Sequence, residues 1–193
     1  MLSEQVGVTL TVTEALEALG VPYAIGGSFA SAAHGVMRAT MDADLVADLR
    51  PEHAEPLVRA LGDRFYADLE AIRDAIRRRA SFNLIHLDTA FKIDIFIAGR
   101  RPFDRAQLSR RHRHLLSWEP ERYAYVTSPE DTILAKLEWY RMGGGVSDRQ
   151  WRDVLGVLRV QSGRLDLHYL RRMAATLNVT DLLERALNEA ASP

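Results

Sequence analysis

The sequence contains no cysteine, which excludes disulfides, thiol nucleophiles and cysteine-ligated zinc. It has no apolar run long enough to cross a membrane, and its first residues lack the pattern of a signal peptide. The formal net charge is only -1 over 193 residues, so global charge predicts no bulk attraction to nucleic acid or to a membrane. Together these absences predict a cytoplasmic protein that makes no membrane contact.

Lysine is scarce as well. The 25 basic residues comprise 23 arginines and two lysines, Lys92 and Lys136. Because the chain otherwise uses arginine for positive charge, a retained lysine is a candidate for a site that needs a compact ammonium rather than a planar guanidinium. Chance retention is the alternative for each lysine.

The residues that are present are sufficient for a globular core, since 47% of them are hydrophobic. The first part of the chain alternates predicted strands and helices. Its first helix is predicted to begin at the capping-box pattern Thr11–Glu14 and to end at Gly20. Alternating apolar residues predict a β-hairpin formed by residues 82–87 and 91–97. From Ser128, a capping residue followed by proline, the pattern is wholly helical.

Residues 23–48 carry the densest functional signal. A short apolar strand ends at Gly26-Gly27-Ser28, an Ala-rich helix follows, and a second strand opens on Asp42-Ala43-Asp44. Adjacent glycines allow a sharp turn and close approach of a ligand, and a helix start offers N–H groups to an anion. Asp42 and Asp44 point to the same side of their strand. Two carboxylates beside an anion-binding turn indicate a site for a divalent metal and phosphates.

A third acid lies in the predicted hairpin. In Phe91–Ile97 the side chains of Lys92, Asp94 and Phe96 face away from the apolar ones, and a carboxylate in so apolar a strand is costly unless it is paired. Asp94 is therefore the candidate third acid, with a solvated strand face as the alternative. Arg38, four residues before Asp42, could reach a phosphate or form a surface salt bridge.

The glycine turn and the Asp-x-Asp strand, with 13 residues between Ser28 and Asp42, resemble the signature of the DNA polymerase beta-like nucleotidyltransferases. Within that superfamily the chain is most similar to the group related to the AbiEii toxins. Lys92-Ile93-Asp94 resembles that group's Lys-x-Asp strand, and Ser128 to Lys136 resembles the helix that presents a lysine to the nucleotide. Ser147 to Val154 resembles its later Asp motif, in which Asp148, expected to be partly buried, and Asp153 are the candidates.

The resemblance implies an α+β fold: a mixed-sheet nucleotidyltransferase core in residues 1–126, followed by a C-terminal helical bundle in residues 127–193. It implies transfer of a nucleoside monophosphate from a nucleoside triphosphate to a hydroxyl of an RNA, a protein or a small molecule, with a relation to toxin–antitoxin systems. Asp42, Asp44 and Asp94 would be catalytic residues and would hold Mg²⁺ or Mn²⁺. The nucleotide-binding residues would be Gly26, Gly27, Ser28, Arg38, Lys92, Lys136 and Asp148.

Two other readings stay open at this point. A non-catalytic relative on the same fold could bind nucleotide or a partner protein as an antitoxin-like regulator. The arginine-rich segment 100–113 could bind RNA, a protein acceptor or the triphosphate, or it could be a solvated surface. Unpaired acids in the sequence favour the enzyme. A cognate antitoxin or another partner protein is the remaining partner that the resemblance suggests.

Overall fold

A computed structural model of the chain describes residues 2–36, 40 and 42–191. Within these residues the strands are β1 (Tyr23–Ile25), β2 (Asp42–Ala47), β3 (Phe65–Tyr66), β4 (Ser81–His86), β5 (Lys92–Ile97), β6 (His112–Trp118) and β7 (Glu121–Val126). The helices are α1 (Leu2–Ala18), α2 (Gly27–Ala33), α3 (Ala54–Leu61), α4 (Leu69–Arg78), α5 (Pro102–Ser109), α6 (Pro129–Met142), α7 (Asp148–Val160), α8 (Leu167–Thr176) and α9 (Thr180–Ala191). Short 3-10 turns cover Pro51–His53 and Gly62–Arg64.

The strands form one mixed sheet in the order β3-β4-β5-β2-β1-β7-β6. β2 is antiparallel to β1 and parallel to β5, and β1 is parallel to β7. The predicted hairpin is present as the antiparallel pair β4 and β5, and β6 and β7 form a second one. A mixed sheet followed by four helices confirms the predicted α+β class.

The two faces of the sheet have different surroundings. Alternate residues of β2 and β5 are buried, among them Leu45, Ile93 and Ile95, and they pack in one apolar cluster with α1, α3 and α4. The other residues of both strands, which include all three candidate acids, face the opposite side. There α2 packs against both β2 and α6. The period of two therefore assigns the apolar core and the acids to different faces.

A second apolar cluster lies among the four C-terminal helices and contains Leu134, Leu137, Val154 and Leu170. One of its members, Phe103, comes from α5 and is almost fully buried. The division of the chain after residue 126 stays a prediction, because Phe103 ties the preceding part to the helical cluster.

One local expectation was wrong. The first helix begins at Leu2, so Thr11 lies inside α1 and does not cap it. The hydroxyl of Thr11 donates to the carbonyl of Gly7, and that of Thr9 donates to the carbonyl of Gln5, four residues back in each case. A threonine that bonds back along the helix satisfies its hydroxyl without ending the helix. The arginine-rich segment, in which no element was predicted, contains α5 and the start of β6.

None of the helices in the described part of the chain combines the length and the apolar character that a membrane crossing requires.

Candidate active site

The register of β2 and β5 brings the candidate acids together. Asp44 lies directly opposite Asp94, and Asp42 lies opposite Lys92. Neighbouring strands are about 4.8 Å apart, so residues opposite each other share one small area of the sheet surface. Asp94 is thus adjacent to Asp44 although 49 positions separate them in the sequence.

The glycine turn packs directly on this acid cluster. The N–H of Gly26 donates to the backbone carbonyl of Asp44 at 2.8 Å. Gly27 has φ +55, and a Cβ at this position would lie 1.8 Å from Oδ2 of Asp44. Glycine is required here both for the left-handed backbone and for the space that the carboxylate occupies. Ser28, the next residue of the motif, is buried in α2.

Burial raises the pKa of the Asp44 carboxyl to about 6, and the negative charges of Asp42 and Asp94 add to the effect. The ammonium groups of Lys136 and Lys92 act in the opposite direction and lower it. The carboxylate thus lies within reach of two like charges and two opposite charges. Such clustering of ionisable groups around the Gly26-Gly27 turn is typical of a functional site.

Each of the other two acids has a neighbour that holds its carboxylate. Lys92 Nζ lies 2.6 Å from Asp94 Oδ2, and Asn83 Nδ2 donates to Asp94 Oδ1 at 3.4 Å. The hydroxyl of Thr40 donates to Asp42 Oδ1 at 3.2 Å. In the part of the chain that the structure describes, no three acidic or histidine side chains converge closely enough to bind a metal ion in this arrangement.

The residues nevertheless fit a divalent cation by chemistry. Carboxylate oxygens are the ligands that Mg²⁺ and Mn²⁺ prefer. The pKa of Asp44 is raised in part because Asp42 and Asp94 repel its charge, and a cation between them would reverse that repulsion. Convergence on a cation requires that the Lys92 ammonium, whose side chain is 42% exposed, move off Asp94.

Lys136 approaches the cluster from α6. It is 7% exposed, and its Nζ lies 2.8 Å from Oδ2 of Asp153 on α7, which is also buried. Its charge also acts on Asp44. A buried ammonium is stable only with such a partner. Asp153 is therefore the acid of α7 that is associated with the site.

The expectation that Asp148 is partly buried was wrong. It is the first residue of α7, directly after the capping residue Ser147, and it is exposed. Its carboxylate is favourable there, since a helix N-terminus stabilises a negative charge in solvent. Asp148 was expected to be buried because it shares a helix face with Trp151. It is the first residue of α7, however, so the buried part of that face does not extend to it.

Other predicted residues are placed as follows. Arg38 lies outside the described residues. The arginine-rich segment folds as α5 and the first residues of β6, with Ala98 and Gly99 leading into it from the carboxyl end of β5. Of the two candidates of the later Asp motif, the structure pairs Asp153 with Lys136. Asn83 was not predicted. Asn83 was detectable in principle, because it lies on the polar side of the alternating strand β4.

The acid cluster is open on the side of β4. Ser81 and Asn83 are exposed, and they lie opposite Phe96 and Asp94 in the register of β4 and β5. Trp139 of α6 packs edge-on against Phe96 with ring centroids 5.7 Å apart and is 47% exposed. The surface beside Asp94 over β4 is therefore exposed to solvent, with an aromatic pair next to it.

Two solved structures are similar to the whole chain. The antibiotic-resistance factor ANT(2'')-Ia, known from a solution structure, has a TM-score of 0.62 and 20% identity, over 98% of this chain and 100% of that one. An antigenic nucleotidyltransferase-like protein from Paracoccidioides brasiliensis has a TM-score of 0.53 and 17% identity, over 96% of this chain and 93% of that one. No protein-family model matches the chain, and no curated protein sequence matches it. At these identities the similarity shows a nucleotidyltransferase fold.

Proposed function

We propose that the chain is a nucleotidyltransferase that transfers a nucleoside monophosphate from a nucleoside triphosphate to a hydroxyl group of an acceptor. The observation that carries the proposal is the pairing of Asp44 with Asp94 across parallel strands, with the Gly27 turn packed on the Asp44 carboxylate. The nucleotidyltransferase fold supports it. A protein that only bound a partner would have no need for two adjacent carboxylates on a polar sheet face.

In the proposed reaction the acceptor oxygen attacks the α-phosphorus, the bond from that phosphorus to the bridging oxygen breaks, and pyrophosphate leaves. Asp94 lies at the open side of the cluster and takes the proton of the attacking hydroxyl. The backbone of the Gly26-Gly27 turn and Ser28 would bind the β- and γ-phosphates, as the family resemblance implies. In-line transfer of this kind depends mainly on positioning and charge neutralisation.

Asp42, Asp44 and Asp94 would hold the divalent cation, Mg²⁺ or Mn²⁺. When bound, it would supply charge neutralisation between the carboxylates and the phosphates. The ammonium of Lys92 would then be released from Asp94 and become available to a phosphate oxygen.

Lys136 would bind the triphosphate. Its ammonium is buried, acts on Asp44 and is fixed by Asp153, so it enters the site already oriented. A cation held in this way loses little conformational freedom when the phosphates arrive. Asp153 would thus position Lys136 and would not touch the nucleotide.

The finer assignment follows the sequence resemblance. We propose membership of the AbiEii-related group, a relation to toxin–antitoxin systems with a cognate partner protein, and an RNA or protein acceptor. Because ANT(2'')-Ia is an antibiotic-resistance factor, a small-molecule acceptor belongs among the candidates that an assay must include.

The proposal is tested by incubating the protein with each ribonucleoside triphosphate, labelled at the α-phosphate, together with total RNA, protein extract or small hydroxyl compounds. We expect label transfer and pyrophosphate release that require Mg²⁺ or Mn²⁺ and are abolished by Asp44→Asn. If the wild type binds triphosphate equally well in excess chelator and releases no pyrophosphate, the protein is a nucleotide-binding regulator and not an enzyme.

A further inference from the structure

A cavity of about 450 Å³ lies at the opposite ends of the strands that carry the acids. It is lined by Asp48 and Ala98, which follow the last residues of β2 and β5, by Pro22 before β1, and by one side of α5. Four arginines contribute to its lining: Arg79, Arg100, Arg105 and Arg111.

None of these four guanidinium groups forms an ion pair within the described ranges of the chain. Arg79 donates to the backbone carbonyl of Ala98, and Arg111 donates to that of Leu108, while Arg100 and Arg105 are exposed. The Nε of Arg111 is buried without a hydrogen-bond acceptor.

The two acids of the lining do not neutralise the arginines. Asp104 accepts hydrogen bonds from Arg101, and Asp48 lies 3.8 Å from Arg50. Both of those arginines are outside the lining, so each lining acid already has its own cation. In a chain with a net charge of -1, this cavity therefore concentrates uncompensated positive charge.

The positive surface continues beyond the cavity onto the hairpin of β6 and β7. Arg111 stacks on the ring of Tyr125 at 4.6 Å, and Arg113 stacks on the ring of Tyr123 at 4.3 Å. Guanidinium groups fixed on aromatic rings keep their N–H donors available for phosphate. An extended row of this kind suits a chain of phosphates better than one small anion.

We propose that the arginine cavity binds the phosphate backbone of an RNA strand that serves as the acceptor, an inference that rests on the proposed function. Asp94 and Ala98 are four residues apart on an extended strand, which corresponds to about 13 Å. An RNA strand a few nucleotides long spans this distance. One strand can therefore place a ribose hydroxyl near Asp94 while its neighbouring phosphates contact the arginines. The same charge disfavours a cationic small-molecule acceptor.

The test is fluorescence anisotropy with a short labelled single-stranded RNA of mixed sequence, in metal-free buffer without nucleotide, over a range of salt concentrations. Arg100→Ala/Arg105→Ala should weaken binding about tenfold and reduce the slope of log affinity against log salt by about 0.7 per arginine. The control Arg59→Ala/Arg64→Ala removes the same charge from exposed positions at α3 and the adjacent turn, and should bind like the wild type. Circular dichroism checks that both variants are folded.

The proposal is overturned if the wild type does not bind the RNA, or if both double variants lose affinity equally. It is also overturned if polyglutamate competes as well as RNA of equal charge, since the cavity would then fit an acidic polypeptide. Asp44→Asn should bind the RNA normally. Arginine-dependent RNA binding without any label transfer would support the cavity and contradict the enzyme, whereas transfer to other acceptors without RNA binding would do the reverse.

Discussion

Gly27 is the residue of the site at which no side chain fits. It combines a left-handed backbone with a contact to Asp44 that leaves no room for a side chain. Gly62 also has a positive φ, +58 with ψ -156, but open space where a Cβ would be. A substitution at Gly62 therefore reports backbone strain alone, whereas one at Gly27 adds steric exclusion.

We expect Gly62→Ala to lower the free energy of unfolding by about 1–3 kcal/mol, the cost of alanine in a backbone region that is used almost only by glycine. Gly27→Ala should lose a further 1–3 kcal/mol, roughly the cost of overpacking, because its Cβ meets the carboxylate. Urea unfolding measures both values. Adding Asp44→Ala to Gly27→Ala should recover the additional stability that is lost, because the carboxylate that the Cβ meets is then absent. Equal values for the two single variants would show that the contact with Asp44 is unimportant.

The buried ion pair of Lys136 and Asp153 changes the expected effect of Lys136→Ala on stability. From the helix sequence alone, Lys136→Ala is expected to leave the fold intact, since alanine is a good helix former. In the structure it removes the ammonium partner of a buried carboxylate, and we expect a loss of about 3–5 kcal/mol.

The double variant Lys136→Met/Asp153→Leu tests whether the pair serves stability or function. Apolar side chains of similar volume should restore stability to near the wild-type value. Nucleotide binding, measured by calorimetry with Mg²⁺, should stay lost. If the double variant binds nucleotide as the wild type does, the lysine has only a structural role.

At the scale of elements, His34 joins three of them. It follows α2, its Nε2 donates to the carbonyl of Thr127 at 2.7 Å, and its own carbonyl accepts from Gln161 after α7. Because a carbonyl only accepts hydrogen bonds, the proton must be on Nε2. Burial lowers the pKa of His34, and the positive charges of His114 and His112 lower it further. The hydrogen bond to Thr127 and the negative charge of Glu130 partly offset this.

This pKa shift predicts a loss of stability in acid. The unfolded chain takes up a proton near pH 6.5, whereas the folded chain takes it up only at lower pH. The contribution of His34 to the free energy of unfolding is therefore fully present above pH ~6.5. It is lost as the pH decreases from there towards the folded pKa, by at most about 1.4 kcal/mol per pH unit for one proton. Urea unfolding at several pH values should show a shallower decline for His34→Gln. The exposed His168→Gln is the control and should follow the wild type.

Elements with strong local signals were predictable from the sequence, and those that depend on tertiary contacts were not. Asp94 stood out because it interrupts an apolar alternation, and the hairpin around it is present. β6 and α5 lie in a basic segment with few apolar residues, and they are held by pairing with β7 and by Phe103. The partner of Lys136 could not be read from helix periodicity, because the packing of α6 on α7 determines which acid faces the lysine.

At the scale of the whole molecule, α5 contacts β1 and β2 and places Phe103 in the apolar cluster of the C-terminal helices. We expect Phe103→Ala to cost about 3–5 kcal/mol and to lower the stability of the whole chain in one transition. Unfolding followed by tryptophan fluorescence and by far-UV circular dichroism checks this, since the two curves should shift together. Two separate transitions, with only one displaced, would show that the clusters unfold independently.

The open sheet has two edges, and each is unsuited to pairing with another chain. β3 is only two residues long, and β6 carries an irregularity between Leu115 and Ser117, where Leu116 is the extra residue opposite β7. A bulge twists a strand and interrupts its row of free hydrogen-bonding groups, and a very short strand offers almost none. Both edges of the sheet are thus poor templates for a strand from another chain, and exposing them carries little risk of edge-to-edge aggregation.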